Sequence, residues 1–221
     1  MGGPDLRPRV KRLGYAEIVN VPAAVLGVAL AAAAGDPQSS PGHPYHREQH
    51  ANAPAELWAV IETPMGSAVK YEIDKATGHV FVDRFQSMPV AAPANYGSFP
   101  RTLAPDGDPL DAVVLSRHSV HPGAFVRVRP VGVIRTLDGD DKDDKILVVP
   151  VSQVDPTYDE VRDVHDIPAA ERARIAAYFR VYKQLPSGLE GRILETAGRA
   201  VAERVVREAM ESYRRGSSPH N

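Results

Sequence analysis

The sequence predicts an α+β domain in which several short strands close into a small β-barrel and two helices flank it. Three patterns carry that prediction. Val69, Tyr71 and Ile73 alternate with Lys70, Glu72 and Asp74, the period-two signature of a strand. The segments 125–134 and 146–151 are rich in Val and Ile and read as buried strands. Two amphipathic helical patterns come late in the chain, after the strands.

The chain has 221 residues, which suits one domain with an extension. Residues 1–55 read as that extension. Arg7, Arg9, Lys11 and Arg12 make a basic start, and Val21 to Ala34 is an uncharged run of small and apolar residues. Basic start, apolar middle and small-residue exit match a secretory signal peptide over 1–34, and the run is short for a bilayer span. The expectation is export to the periplasm or beyond with no membrane span in the mature form; the alternative is a leader on a cytoplasmic protein. Residues 35–55, with Pro37, Pro41, Pro44 and Pro54, read as a linker. His43, His46 and His50 lie within it, and Pro44 breaks any helical spacing between them, so they read as solvated rather than as metal ligands.

The globular region runs over 56–215, with 216–221 as a tail. It begins with alternation from about Leu57. Thr77-Gly78 marks a turn between the strand at 69–74 and a second at 80–83. Asp166-Ile167-Pro168 reads as a helix start, with Asp166 as the cap and Ile175, Tyr178, Phe179, Tyr182 and Leu185 on one face. Val201, Val205, Val206, Ala209 and Tyr213 mark the last helix.

Composition excludes several functions. A net charge of −2 provides no global basic field for nucleic acid, and 6% aromatic residues provide no stacking platform for single strands. Without Cys there is no disulfide, thiolate zinc site or Cys nucleophile.

The most informative stretch is Asp106-Gly107-Asp108-Pro109-Leu110-Asp111, three carboxylates on a segment that Gly and Pro turn. A second acidic run covers Asp138 to Lys145. Two like charges at about 4 Å repel by roughly 1 kcal/mol in water and roughly 4 kcal/mol near a protein surface. Two such runs sharing a cleft would be relieved by hard divalent cations, which take oxygen ligands and suit phosphoryl chemistry. The first run is not an EF-hand loop, because Leu110, Asp111 and Arg117 fall at its fifth, sixth and twelfth positions. Glu62, Lys70, Glu72, Asp83 and Arg84 add acids and bases on predicted strands. Lys70 and Glu72 share one face, so that face lines a polar cavity or solvent. Tyr182-Lys183 supplies a further phenol and ammonium at the end of a helix face, the donors a multiply charged phosphate needs.

In these residues the chain resembles the soluble family I inorganic pyrophosphatases of bacterial type. The matching motifs are Ala59 to Glu62, Val69 to Lys75, Val82 to Phe85, Pro93 to Gly97, Asp106 to Asp111, Arg129 to Val133, Asp143 to Lys145 and Tyr182-Lys183, over roughly 56–213. The resemblance implies a five-stranded OB-like closed β-barrel and Mg²⁺-dependent hydrolysis of pyrophosphate to two orthophosphates. Several ions would serve each site, with Mn²⁺ or Zn²⁺ as substitutes, and the assembly would be a homohexamer. By motif match Asp106, Asp111, Asp138 and Asp143 would hold metal, and Asp108 would be the general base. Lys70, Arg84, Tyr96, Lys145, Tyr182 and Lys183 would bind phosphate oxygens. Glu62 and Glu72 would complete the acidic wall, and Asp83 would support it. The chain departs from the family at Ala92, where a Tyr is usual, at Pro186-Ser187-Gly188 and at Gly139. A phosphohydrolase acting on nucleotides is the nearest alternative, but the chain lacks a Walker-type lysine loop. An OB-type nucleic-acid binder is disfavoured by the acidic runs.

Overall fold

The computed structural model describes residues 42–186, 188 and 191–216, apart from 139 and 140, with the backbone only at Asp138 and Asp141. The segment read as a signal peptide lies outside the described residues.

Nine strands and two helices are present among the described residues: β1 Leu57–Thr63, β2 Val69–Ile73, β3 Val80–Phe85, β4 Asn95–Ser98, β5 Asp111–Val114, β6 Phe125–Asp138, β7 Asp141–Lys142, β8 Lys145–Pro150, α1 Ala169–Val181, β9 Arg192–Gly198 and α2 Arg199–Gly216. β1 pairs with β4, β4 with β5, β5 with β8, β8 with β6, and β6 with β1, so the pairings return to their start. Only β5 and β8 run parallel in this mixed sheet, and β7 and β9 attach to β6. β2 and β3 form a separate hairpin.

Period two explains why β5 and β8 look uniformly apolar in sequence. On β8, Ile146 and Val148 enter a core with Ala202, Val206 and Ala209 of α2, while Leu147 and Val149 enter a second core with Ile175 and Phe179 of α1. Beyond Lys145, which opens the strand, both faces are therefore buried and apolar. The close packing also fixes Gly97 on β4, where a Cβ would fall 1.9 Å from the Val60 carbonyl oxygen.

Several expectations need correction. The strands do not all precede the helices: β9 lies between them and pairs along β6. Asp166 does not cap α1. Its carboxylate accepts from the N–H groups of Arg162 and Asp163, both at 2.8 Å, closing a capping box around a 3-10 turn at Val164–Asp166. Pro168 holds the cap position of α1 without a side-chain bond. Leu185 falls beyond the end of α1 and is exposed. Val80, Phe81 and Val82 are exposed too, because their hairpin lies outside the main sheet.

Within the segment read as a linker, residues 42–55 make specific contacts. His43 is buried, not solvated: its Nε2 lies 3.2 Å from the Asp74 carbonyl oxygen and its ring lies tilted against that of His46, 4.7 Å between centroids. No described helix is long and apolar enough to cross a membrane.

Candidate active site

Asp111 opens β5, and the parallel register with β8 sets Lys145 opposite it. The Lys145 ammonium donates to Asp111 Oδ2 at 2.7 Å and to Asp143 Oδ1 at 2.8 Å. Tyr96, on β4, donates its hydroxyl to the same Asp111 oxygen. Burial raises the pKa of Asp111, opposed by the Lys145 cation and helped by Asp143. Burial also acts most strongly on Asp143 and pushes it upward, yet Lys145 and Lys183 outweigh it and hold that carboxyl below its ordinary range. Burial pulls Lys145 down, and Asp111 and Asp143 together more than reverse this, so the ammonium is held firmly charged.

β2 and β3 build a second group. Lys70 pairs with Glu72 on its own strand and lies 3.3 Å from Asp83, which also accepts from Arg84 at 2.7 Å. β1 supplies Glu62, which is 7% exposed and accepts from Ser98 at 3.1 Å and from Tyr45. Burial pushes the Glu62 carboxyl up to about 7, against the Tyr45 hydrogen bond, which favours the ionised form. The loop before β5 carries Asp106 and Asp108. Gly107 at φ +87° lets it fold back so that the Asp108 N–H reaches Asp106 Oδ1 at 3.0 Å, and the Asp108 carboxylate pairs with Lys75. From α1, Tyr178 stacks on Tyr182 at 5.0 Å, and its hydroxyl accepts from Gln86 at 3.2 Å.

Most of these groups line one cavity of about 300 Å³. Of the residues predicted from sequence, Glu62, Lys70, Glu72, Tyr96, Asp106, Asp108, Asp111, Asp143, Lys145, Tyr182 and Lys183 come together there. Asp83, paired with Lys70, and Arg84, paired with Asp83, do not line it. The Asp138 side chain lies outside what is described. Sequence reasoning missed Tyr45, Lys75, Gln86, Ser98 and Tyr178, which also line it. Lys75 closes the Val69 to Lys75 motif, and Tyr178 sits one helical turn before Tyr182, so both had a signal. Tyr45 had none, because a Pro-rich segment shows no periodicity.

Six carboxylates face four ammonium groups in this cavity. An anion as highly charged as a polyphosphate could not enter such a site without accompanying cations. Among the described residues no three acidic or histidine side chains converge as they stand on one ion. Lysine ammonium groups instead neutralise Asp108, Asp111, Asp143 and Glu72. The donors are all hard oxygens, so the set fits Mg²⁺-like ions and does not suit soft metals.

Comparison with known proteins places the chain in a family. Residues 59–214 match the family described as inorganic pyrophosphatase. An inorganic pyrophosphatase of Aquifex pyrophilus is 41% identical over 165 residues, 75% of this chain and 93% of the relative. One from Nanoarchaeum equitans is 39% identical over 160 residues, 72% of this chain and 99% of the relative. The crystal structure of the inorganic pyrophosphatase from Thermus thermophilus superposes with a TM-score of 0.74 at 33% identity, covering 78% of this chain and 99% of that one.

Proposed function

The chain belongs to the inorganic pyrophosphatase family, a family of hydrolases acting on pyrophosphate, and from that premise we propose that it works with several Mg²⁺ ions per site and Asp108 as the general base. The observation that carries the reading is the gathering of Asp106, Asp108, Asp111 and Asp143 with Lys70, Lys145 and Lys183 around one cavity.

Asp106, Asp111, Asp138 and Asp143 would hold the cations, with Glu62 and Glu72 completing the wall. Bound there, divalent ions lower the pKa of water and neutralise phosphate oxygens. Asp108 takes the proton of the attacking water. Its side chain is 52% exposed and its ion pair with Lys75 is a surface pair, worth about 0–1 kcal/mol, so the pairing yields readily to substrate. Lys70, Lys145, Lys183, Tyr96 and Tyr182 supply donors to phosphate oxygens and spread the charge that develops as the bridging bond breaks. Arg84, with Asp83, sets the position of Lys70 and reaches the phosphate when Asp83 releases it.

The ring of strand pairings supports reading the sheet as a five-stranded OB-like closed barrel. A homohexamer is proposed from the family resemblance and export from Val21 to Ala34. Light scattering and N-terminal sequencing of the mature chain test these two. The reaction itself is tested by phosphate release from pyrophosphate with Mg²⁺, with Mn²⁺ or Zn²⁺, with EDTA, and in Asp108→Asn. Release that EDTA and the substitution both abolish is the expected result. Faster release from ATP than from pyrophosphate would favour a nucleotide phosphohydrolase.

A further inference from the structure

Tyr45 lies outside the family-matched region, which begins at residue 59, yet its side chain lines the catalytic cavity. The segment that carries it is fastened at several points. Gln49 spans Trp58 and Pro100: its amide donates to the two carbonyls at 3.0 and 2.9 Å, and its oxygen accepts from the Trp58 N–H at 2.9 Å. The Arg47 guanidinium lies 4.3 Å over the Trp58 ring and 4.7 Å over that of Phe125. Arg101 donates its N–H to the Tyr45 carbonyl at 3.1 Å and its side chain to the His46 carbonyl at 3.0 Å. With His43 on its other side 3.2 Å from the Asp74 carbonyl oxygen, Tyr45 is held on both sides of its own backbone.

The phenol uses that placement on one acceptor. Tyr45 and Ser98 both donate to Glu62 Oε1, one from the N-terminal strap and one from β4. Two donors arriving at the same oxygen from different elements restrain the carboxylate at that oxygen. Groups that orient a metal-facing carboxylate in this way govern its affinity for the ion.

We infer that Tyr45 is a positioning residue of the active site, acting through Glu62, and that the strap at residues 43–58 is a functional part of this enzyme beyond the family-matched core. The inference rests on the proposal that divalent cations bind in this cavity. A plain packing role for Tyr45 predicts that removing its hydroxyl leaves cation binding alone.

The test is a calorimetric titration of Mg²⁺ into the full chain, the Tyr45→Phe and Glu62→Gln variants and the double variant, with phosphate release from pyrophosphate followed in parallel. Tyr45→Phe keeps the ring and removes one donor. It is expected to weaken Mg²⁺ binding about tenfold, and to add nothing further in the Glu62→Gln background, because the two residues act as one unit. Unchanged affinity in Tyr45→Phe, an equal loss in both backgrounds, or no Mg²⁺ binding by the wild type overturns the inference. If Tyr45→Phe does not fold, Gln49→Ala loosens the same strap without touching Glu62 and must give the same Glu62-dependent weakening; its absence also overturns it. A wild type that binds Mg²⁺ and shows the coupling but releases no phosphate would sink the pyrophosphatase reading and leave the role of Tyr45 standing.

Discussion

Asp108 and Asp111 are three residues apart in one motif, but the fold treats them as opposites. Asp111 begins a strand, accepts from Tyr96 and Lys145, and sits where burial raises its pKa. Asp108 rides an exposed loop and its carboxylate touches only Lys75 among the hydrogen bonds described. The deep wall is built in advance and holds its charges rigidly. The loop is open and can trade its partner for substrate and water. The difference teaches that position relative to the sheet, not residue type, divides a buried, fastened carboxylate from one that stays open to exchange.

The hardest blow to the deep wall is Lys145→Met. Lys145 is 2% exposed and its loss leaves Asp111 and Asp143 facing each other. Removing one partner of such a buried group should cost about 3–5 kcal/mol in denaturant unfolding at neutral pH. Added Mg²⁺ should return part of the loss, and a loss under about 1 kcal/mol would show that the wall is not prebuilt.

Asp108→Asn should lower turnover by roughly 10²–10⁴-fold while leaving Mg²⁺ affinity near that of the wild type. Asp111→Asn should weaken Mg²⁺ binding instead. Equal Mg²⁺ affinities in the two variants, measured by calorimetry, would erase the contrast between loop and wall.

Glu62 extends the deep wall and gives it a pH signature. Its carboxyl is raised from 4.5 to about 7 in the folded chain, so the fold keeps the proton that the unfolded chain releases. Glu62 therefore costs nothing below its unfolded pKa, and its penalty grows as pH rises through the window between the two values. In metal-free protein, Glu62→Gln should gain stability over the wild type by about 3 kcal/mol at alkaline pH and by almost nothing in acid. Thermal melts across that window test the sign; an advantage that shrinks with rising pH refutes it.

The smallest effect belongs to the loop. Lys75 is 63% exposed, so Lys75→Ala should change stability by no more than about 1 kcal/mol. Any larger change would mean that the loop, like the wall, is held rigidly.

Much of this arrangement was legible in the chain. Motif order identified most of the cavity, because a site that binds a charged phosphate requires many carboxylates and cations in a small set of spacings. Strand alternation found β2 and β3 and apolar runs found β6 and β8. It missed β4, β5, β7 and β9, since strands of two to four residues carry too little pattern, and the alternation in β9 is weak. Tyr178 packs against the core with Ile175 and Phe179, as its helical spacing predicts, and its hydroxyl also meets Gln86 at the cavity, which spacing does not show.

By itself the sequence determined the chemistry available: which acids, lysines and phenols exist, and that a turn of Gly and Pro crowds three carboxylates together. Local preferences and charge repulsion act over a few residues, so composition and spacing suffice for that. Tertiary structure alone decided which carboxylate is buried, which lysine is locked between two acids and that Tyr45 reaches the site at all. Those outcomes depend on register between distant strands and on burial, and dielectric and hydrogen-bond geometry are properties of the folded neighbourhood, not of the residue.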